Sequence, residues 1–408
     1  MKAAAVIVVP GGSDISPLTK LGGLSLLKRA VLTAQRAGAI ACYICGYQGQ
    51  EDLAAELQND ARVTSRVIWG YPSPKDISAM EEGGTGLWLV FSVTTIFRHP
   101  LIQELTQQAA PGEPVVVTDA TGTPALALIP PARGPEMLAK LATGRPLEEA
   151  IGLANTTQRQ ITSSRLLRCL SAGTSVARTE YDFLRALENP RDGFFDTYLN
   201  RYLSCPITRW FVHTPLSPNQ ITLLSFLTGL LGAVCFFPGG YWWPLFGAVL
   251  LQFAAVLDCC DGEVARAKFM ESKNGYWLDV VSDTVVHIAL FIGIGVAVWR
   301  NSGASEVLAI TGVLALGGIL AFPLVTLAEE TKEVGERRGG WEDAWIQGLL
   351  KLATRDFSVV VLVSAVVGKL SWFLWGAAIG VHVFWLSLAW LLFRAGRFRW
   401  IRHVWDKQ

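Results

Sequence analysis

Residues 257–283 read LDCCDGEVARAKFMESKNGYWLDVVSD, with apolar sequence before and after. This stretch holds nine charged residues, whereas 214–257 and 284–299 contain no Asp, Glu, Lys or Arg. Spanning a bilayer takes about 20 apolar residues, so the charges gather where one span ends and the next begins. Asp258 and Asp261 lie three apart and share a helical face that Ala265 continues. Asp279 and Asp283, four apart, form a second pair. Two adjacent antiparallel helices would bring all four carboxylates together near the membrane boundary. Cys259 and Cys260, between the first two aspartates, are expected to point away from that face.

Carboxylates at membrane depth are costly and need partners, and divalent cations are the most economical partner for four of them. Hard oxygen ligands without His or thiolate favour Mg²⁺ or Mn²⁺ over zinc, and a set this large suits two ions. Two such ions at a membrane surface suit phosphoryl chemistry, where they neutralise a diphosphate and stabilise the leaving phosphate. Gly262 and Gly275 would let a nucleotide approach the backbone, and Arg266 offers a forked contact to phosphate. The spacing alone leaves a second reading open, in which the aspartates are interfacial charges paired with Arg266, Lys268 and Lys273.

Composition fits a membrane protein with a soluble part. The chain has 408 residues, 51% hydrophobic and 17% charged, against about 25% charged in soluble domains. A formal charge of +1 argues against a nucleic-acid binder. Seven cysteines in a chain this long are no disulfide framework. Cys42 and Cys45 lie in IACYICGY, which reads as a buried strand rather than a redox or zinc motif. No charged n-region and cleavage site mark a signal peptide.

Six apolar runs follow residue 218, at roughly 219–237, 241–265, 275–298, 305–327, 356–372 and 374–393, the last two abutting around Ser371 to Trp375. Residues 190–218, where Arg191, Arg201 and Arg209 alternate with aromatics, read as an amphipathic helix lying at the membrane interface. With the N-terminal half in the cytoplasm, inner loops and tail hold thirteen Lys or Arg and outer loops hold only Arg300 and Lys369. This bias places both termini and the aspartates on the cytoplasmic side of the cell membrane. Tyr241, Trp242 and Trp243 would lie at the outer interface, and Trp400 and Trp405 at the inner one.

Residues 1–185 alternate strand-like runs (AAAVIVVP, IACYICGY, RVIWG, GLWLVFSV, PVVVTDA) with helical stretches (LSLLKRAVLTAQRAGA, HPLIQELTQQ, PEMLAKLATG). That order implies βαβ units and a mostly parallel, Rossmann-like α/β sheet. The expected organisation is therefore a cytosolic α/β domain at 1–185, an interfacial helix at 190–218 and an all-α domain of six spans at 219–408.

Asp258, Asp261, Gly262, Ala265, Arg266, Gly275, Asp279 and Asp283 match without departure the D-x2-DG-x2-AR-x8-G-x3-D-x3-D pattern of the CDP-alcohol phosphotransferases. SPNQITLLS at Ser217 to Ser225 also resembles the stretch that opens the first span in that family. The resemblance covers about residues 190–400. It implies transfer of a phospho-alcohol group from a CDP-alcohol donor to an alcohol or phospho-alcohol acceptor, with release of CMP. It further implies that Asp258, Asp261 and Asp279 are metal ligands and that Asp283 is a ligand or the general base. Asn219, Thr222, Gly262, Ala265, Arg266 and Gly275 would border the nucleotide, and the enzyme would work as a homodimer in the lipid bilayer. Arg201 and Arg355, with Asp356 beside the latter, are candidates for receiving a phosphorylated acceptor; each is equally explained as an interfacial anchor.

Residues 6–39, VIVVPGGSDISPLTKLGGLSLLKRAVLTAQRAGA, resemble the opening of sugar-nucleotide pyrophosphorylase-like nucleotidyltransferases. Such domains occur fused to CDP-alcohol phosphotransferases in the inositol-phosphate cytidylyltransferase/di-inositol-phosphate phosphate synthase family, which implies an alternative bifunctional enzyme that also makes its CDP-alcohol from CTP. Two departures point instead to a degenerate domain serving folding, dimer packing or regulation. The turn from Pro10 to Ile15 offers no arginine, and LWLVFSVTTIFRHP carries Thr94 and Thr95 where the family places a metal-binding Asp. Lys20 and Lys28 remain as phosphate contacts or as solvated surface. A transporter or scaffold would distribute polar residues along several spans; here they gather at one end of two.

Overall fold

The computed structural model describes residues 3–10, 15–46, 50–73, 75–76, 87–108, 114–119, 122, 124–143, 145, 149–150, 157–160, 167–170, 173–187, 195–332, 340–352 and 357–398. The chain divides into two compact units, Met1–Ala186 with Ala267–Phe269, and Leu187–Arg266 with Met270–Gln408.

The first unit is built on a sheet of seven strands. In chain order its strands and those of two small ribbons are β1 (Ala3–Val8), β2 (Lys20–Leu21), β3 (Leu24–Ser25), β4 (Ala39–Cys45), β5 (Arg66–Trp69), β6 (Leu87–Ser92), β7 (Thr95–Phe97), β8 (Val115–Thr118), β9 (Pro124–Ile129), β10 (Thr157–Gln160) and β11 (Leu167–Cys169). The sheet order is β10-β8-β9-β6-β1-β4-β5. The β1 strand pairs in parallel with β4 and β6, β4 with β5, and β10 with β8. Among the described residues the expected mostly parallel sheet is interrupted only by β9, which runs antiparallel to both β6 and β8.

Strand periodicity sends alternate side chains to opposite faces. Ala5, Ile7 and Val9 enter one core with the helices α1 (Leu26–Arg36), α2 (Gln50–Gln58) and α3 (His99–Gln108). Ala4 and Val6 enter the other, with α4 (Gly134–Ala142). Ser25 caps α1 by accepting from the Lys28 amide, and Gly38, at φ 100°, turns the chain into β4. Cys42 and Cys45 are fully buried in that strand, as their apolar setting predicted. The unit's last helix is α5 (Val176–Arg185).

In the second unit a π-type turn at Asp196–Asn200 leads into α6 (Arg201–Val212). Turn and helix together bury polar side chains and expose aromatic ones, with Asn200, Ser204 and Thr208 fully buried and Tyr198, Tyr202 and Trp210 exposed, while Cys205, Phe211 and Val212 are buried as well. Each of the six apolar runs becomes a helix: α7 (Pro218–Val234), α8 (Trp242–Lys268), α9 (Lys273–Ser302), α10 (Glu306–Glu330), α12 (Phe357–Val366) and α13 (Leu370–Arg394). Four of them, α8, α9, α10 and α13, are long and apolar enough to cross a membrane. Their outward side chains, among them Phe253, Ile319 and Val383, remain exposed, as suits lipid contact in an integral membrane protein.

The other two runs form shorter helices. At 17 and 10 residues, α7 and α12 rise about 25 Å and 15 Å. The fifth run ends early because Gly368, at φ 70°, turns the chain out of α12, so the break precedes the expected Ser371–Trp375 junction. The connection before it carries an unforeseen helix, α11 (Trp341–Leu352).

The helices around the charged stretch pack backbone to backbone. A Cβ on Gly293 would lie 2.6 Å from the Ala233 carbonyl oxygen, and one on Gly247 2.6 Å from that of Gly232. Glycine permits these contacts of α7 with α9 and α8.

Candidate active site

The first pair of aspartates sits near the end of α8. That helix closes with Phe269 in the left-handed region at φ 56° and the Met270 amide donating to Ala265 O at 2.8 Å, a helix-ending turn usually given to glycine. Ser272 then starts α9 by accepting from the Gly275 amide at 3.0 Å, and α9 delivers the second pair. Asp258, Asp261 and Asp279 each offer an oxygen within 4.8 Å of the others. Asp283 lies one turn further along α9, on the wall of the same cavity of about 440 Å³.

Asn219, Thr222, Gly262, Ala265, Arg266, Gly275 and Arg201 also line this cavity. Every site residue expected from sequence is therefore brought together, apart from Arg355 and Asp356, which lie outside the described residues. Thr222 donates to Asp261 Oδ2 at 2.5 Å, so it holds a carboxylate as well as edging the cavity. Asn219 Oδ1 would lie 3.0 Å from a Cβ on Gly275; a side chain there would intrude on the Asn219 amide. The Arg266 guanidinium spreads over Gly262, 2.9 Å from where a Cβ would be, and its Nε donates to Leu187 O at 3.0 Å.

Arg201 has structural work beside its place on the wall. Its guanidinium donates to Leu187 O at 3.1 Å and lies 3.7 Å from Glu263 Oε1. Glu263 is buried on α8 and also accepts from Ser204 at 2.8 Å and Thr208 at 2.5 Å. The inward polar face of α6 exists to satisfy this carboxylate, since a buried charge without partners is strongly destabilising.

One sequence expectation is corrected. Cys259 lines the cavity instead of facing away, because three- and seven-residue spacing puts it on the same helical face as Gly262 and Arg266. Cys260 does turn away, its Sγ bonding Val256 O and Ser204 O.

The far wall was not foreseen. Tyr276 donates to Glu329 Oε2 at 2.9 Å, and Glu329, Lys332, Gln347 and Lys351 reach the cavity from the end of α10 and from α11. Asp196 and His287 line it too. His287 was legible, since it continues the Asp279 and Asp283 spacing by one more turn; the others had no local pattern.

The donor set is hard oxygen, and three carboxylates this close repel unless a cation sits among them, so the residues fit a divalent ion. Residues 215–394 match the family described as CDP-alcohol phosphatidyltransferase. That stretch is a CDP-alcohol phosphatidyltransferase domain.

Among relatives, the bifunctional IPC transferase and DIPP synthase of Aquifex aeolicus is 41% identical over 104 residues, 26% of this chain and 23% of that protein. The protein of the same name from Rubrobacter xylanophilus is 33% identical over 171 residues, 42% of this chain and 36% of its own length. The chain thus spans well under half the length of these curated relatives. A crystal structure of Mycobacterium tuberculosis phosphatidylinositol phosphate synthase with CDP-DAG bound aligns with 47% of this chain and 94% of its own, at 17% identity and a TM-score of 0.30.

In the N-terminal unit, the segment after β6 carries no carboxylate. Ser92 and Thr94 hydroxyls pair at 2.8 Å and Thr95 donates to Ala125 O at 3.1 Å. Lys28 is tied to Glu56 at 3.3 Å and Asp60 at 3.1 Å, while Gly11 to Asp14 lie outside the described residues.

Proposed function

We propose that this protein is a transferase of the cell membrane that moves a phospho-alcohol group from a CDP-alcohol to an acceptor hydroxyl and releases CMP. The observation that carries this reading is the convergence of Asp258, Asp261 and Asp279 within 4.8 Å in a cavity that Asp283, Asn219, Arg266 and Gly275 also line. In this reading the three aspartates hold Mg²⁺ or Mn²⁺, with Asp283 completing a two-ion site or serving as base. Bound there, the ions neutralise the diphosphate and the charge that grows on departing CMP.

The chain's own residues do the rest. Gly262 and Gly275 leave room for the nucleotide, Asn219 edges it, and Arg266 contacts phosphate. Asp283 takes the acceptor's hydroxyl proton. The acceptor oxygen then bonds the phosphorus that bears the donor alcohol, and the bond from that phosphorus to the CMP oxygen breaks, its electrons leaving with CMP. Arg201, Lys332 and Lys351 on the cavity wall suit an acceptor that carries a phosphate. The positive-charge bias of the loops supports a cytoplasmic site with both termini inside; the homodimer implied by the resemblance is checked by mass in detergent.

The deciding experiment uses Asp283→Asn. The variant is expected to bind CDP with Mn²⁺ and to release no CMP from CDP-diacylglycerol or CDP-inositol in the presence of inositol phosphate. Wild-type CMP release by the variant overturns the assignment, and mass spectrometry of the wild-type product identifies the donor and acceptor.

The N-terminal unit is proposed to be non-catalytic, because the segment Ser92 to Thr95 carries hydroxyls and no carboxylate. Full-length chain carrying Asp258→Asn, given CTP, Mg²⁺ and inositol phosphate, is expected to release no pyrophosphate. Release would establish the bifunctional alternative instead.

A further inference from the structure

A chain of four polar side chains, three of them buried and Gln252 half-buried, runs through the second unit and ends on the cavity wall. Ser358 of α12 donates to Gln252 Oε1 at 3.0 Å. Gln252 of α8 donates through Nε2 to Asn200 Oδ1 at 2.6 Å, and Asn200 donates through Nδ2 to Asp196 Oδ1 at 2.7 Å. Every link points the same way, so each amide is fixed by both neighbours and the sequence of donors terminates on a carboxylate. Asn200 and Ser358 are almost fully buried and Asp196 is 7% exposed.

Buried polar chains among apolar helices are costly unless complete, and complete ones hold their members in a single arrangement. This one links three separate elements. It starts at Ser358, which lines a small cavity of about 30 Å³ behind Asp283 together with Asp258, Ser282 and His287. It finishes in front of Asp283, where Asp196 lines the main cavity. Asp196 opens a π-type turn, a distortion frequent at functional sites, and it stands apart from the three carboxylates grouped for a cation. A carboxylate so placed accepts hydroxyl donors.

We infer that Asp196 is a further substrate-binding residue that receives a hydroxyl of the substrate, and that Asn200, Gln252 and Ser358 position it. The inference rests on the transferase reading. Two sources supply that chemistry, the ribose of the CDP-alcohol and a hydroxyl of a polyol acceptor.

The test is steady-state kinetics of full-length Asp196→Asn in detergent, with CDP affinity in Mn²⁺ measured alongside. The KM of the substrate that supplies the hydroxyl is expected to rise roughly tenfold or more, with saturated kcat within about twofold of wild type. A ribose partner raises the Kd for CDP in parallel; an acceptor partner leaves it unchanged and raises only the acceptor KM. Ser358→Ala is expected to move the same KM in the same direction by less, and Ser358→Thr to restore it, which keeps the inference testable should Asp196→Asn fold poorly.

A purely structural role would lower kcat and thermal stability with both KM values fixed, and that result, or unchanged kinetics throughout, overturns the inference. Wild-type chain inert toward every CDP-alcohol would instead sink the transferase reading.

Discussion

The hydroxyl of Thr222 on α7 reaches Asp261 Oδ2 on α8 across 2.5 Å, and both residues are buried. On the proposed reading Asp261 holds a cation, and its carboxylate is only as well aimed as the group that fixes it. Outer partners of this kind typically change metal affinity or activity by about 10–100-fold when removed. Thr222→Val is expected to weaken Mn²⁺ binding by roughly tenfold without unfolding the protein, as read by metal titration of CMP release. An unchanged metal requirement would show that Asp261 needs no such guide.

The two cavity glycines should respond unequally. A Cβ on Gly275 meets Asn219 Oδ1 at 3.0 Å and the capping Ser272 Oγ at 3.1 Å, whereas one on Gly262 meets the far end of the flexible Arg266 side chain. Gly275→Ala is expected to weaken CDP binding by roughly tenfold, the scale of one lost hydrogen bond. Gly262→Ala should cost less, since Arg266 can swing aside. Competition binding with CDP and Mn²⁺ compares the two.

Removing Glu263 tests the inward face of α6. Its carboxylate is 2% exposed and engages Ser204, Thr208 and Arg201. Glu263→Ala strands the Arg201 charge and the two hydroxyls, a loss expected at roughly 3–5 kcal/mol. The readout is a large fall in Tm in detergent, with Glu263→Gln falling less because the amide oxygen still accepts one hydroxyl and the NH2 can donate to the oxygen of the other.

Acid should loosen the N-terminal unit through Asp60. Its carboxylate accepts from Arg62 Nε at 2.7 Å, from the Arg62 amide at 3.1 Å and lies 3.1 Å from Lys28 Nζ. The Arg62 side chain first, and Lys28 with it, hold this carboxyl well below the usual carboxylate range. A group lowered on folding stabilises fully above its unfolded pKa, about 3.9, and that contribution fades as pH falls toward the folded value. Denaturation midpoints are therefore expected to drop below about pH 4, and Asp60→Asn should flatten that decline.

The carboxylate arrangement was legible because its geometry is local: spacings of three and four on consecutive helices leave little freedom once the helices are antiparallel. The far wall was not, because Glu329, Lys332, Gln347 and Lys351 owe their places to how α10 and α11 pack, and nothing within a few residues of each announces it. Thr222 was placed at the cavity by its motif, but its grip on Asp261 depends on the rotation of α7 against α8. The β9 strand was not among the expected ones, and PALALI, apolar on both faces, carries no sign of its direction, since such a run is shared by parallel and antiparallel strands. The early end of α12 turned on a single glycine inside an otherwise unbroken apolar run.

The glycine contacts that seat α7 against α8 and α9 leave no side-chain layer between backbones. At these two points the helices cannot slide without driving main chain into main chain, which ties α7 to α8 and α9 at the ends remote from Asp258, Asp261, Asp279 and Thr222. The opposite wall of the cavity is built differently, from the long side chains of Glu329, Lys332, Gln347 and Lys351. The cavity is thus faced on one side by carboxylates on helices joined backbone to backbone, and on the other by long side chains with room to rearrange.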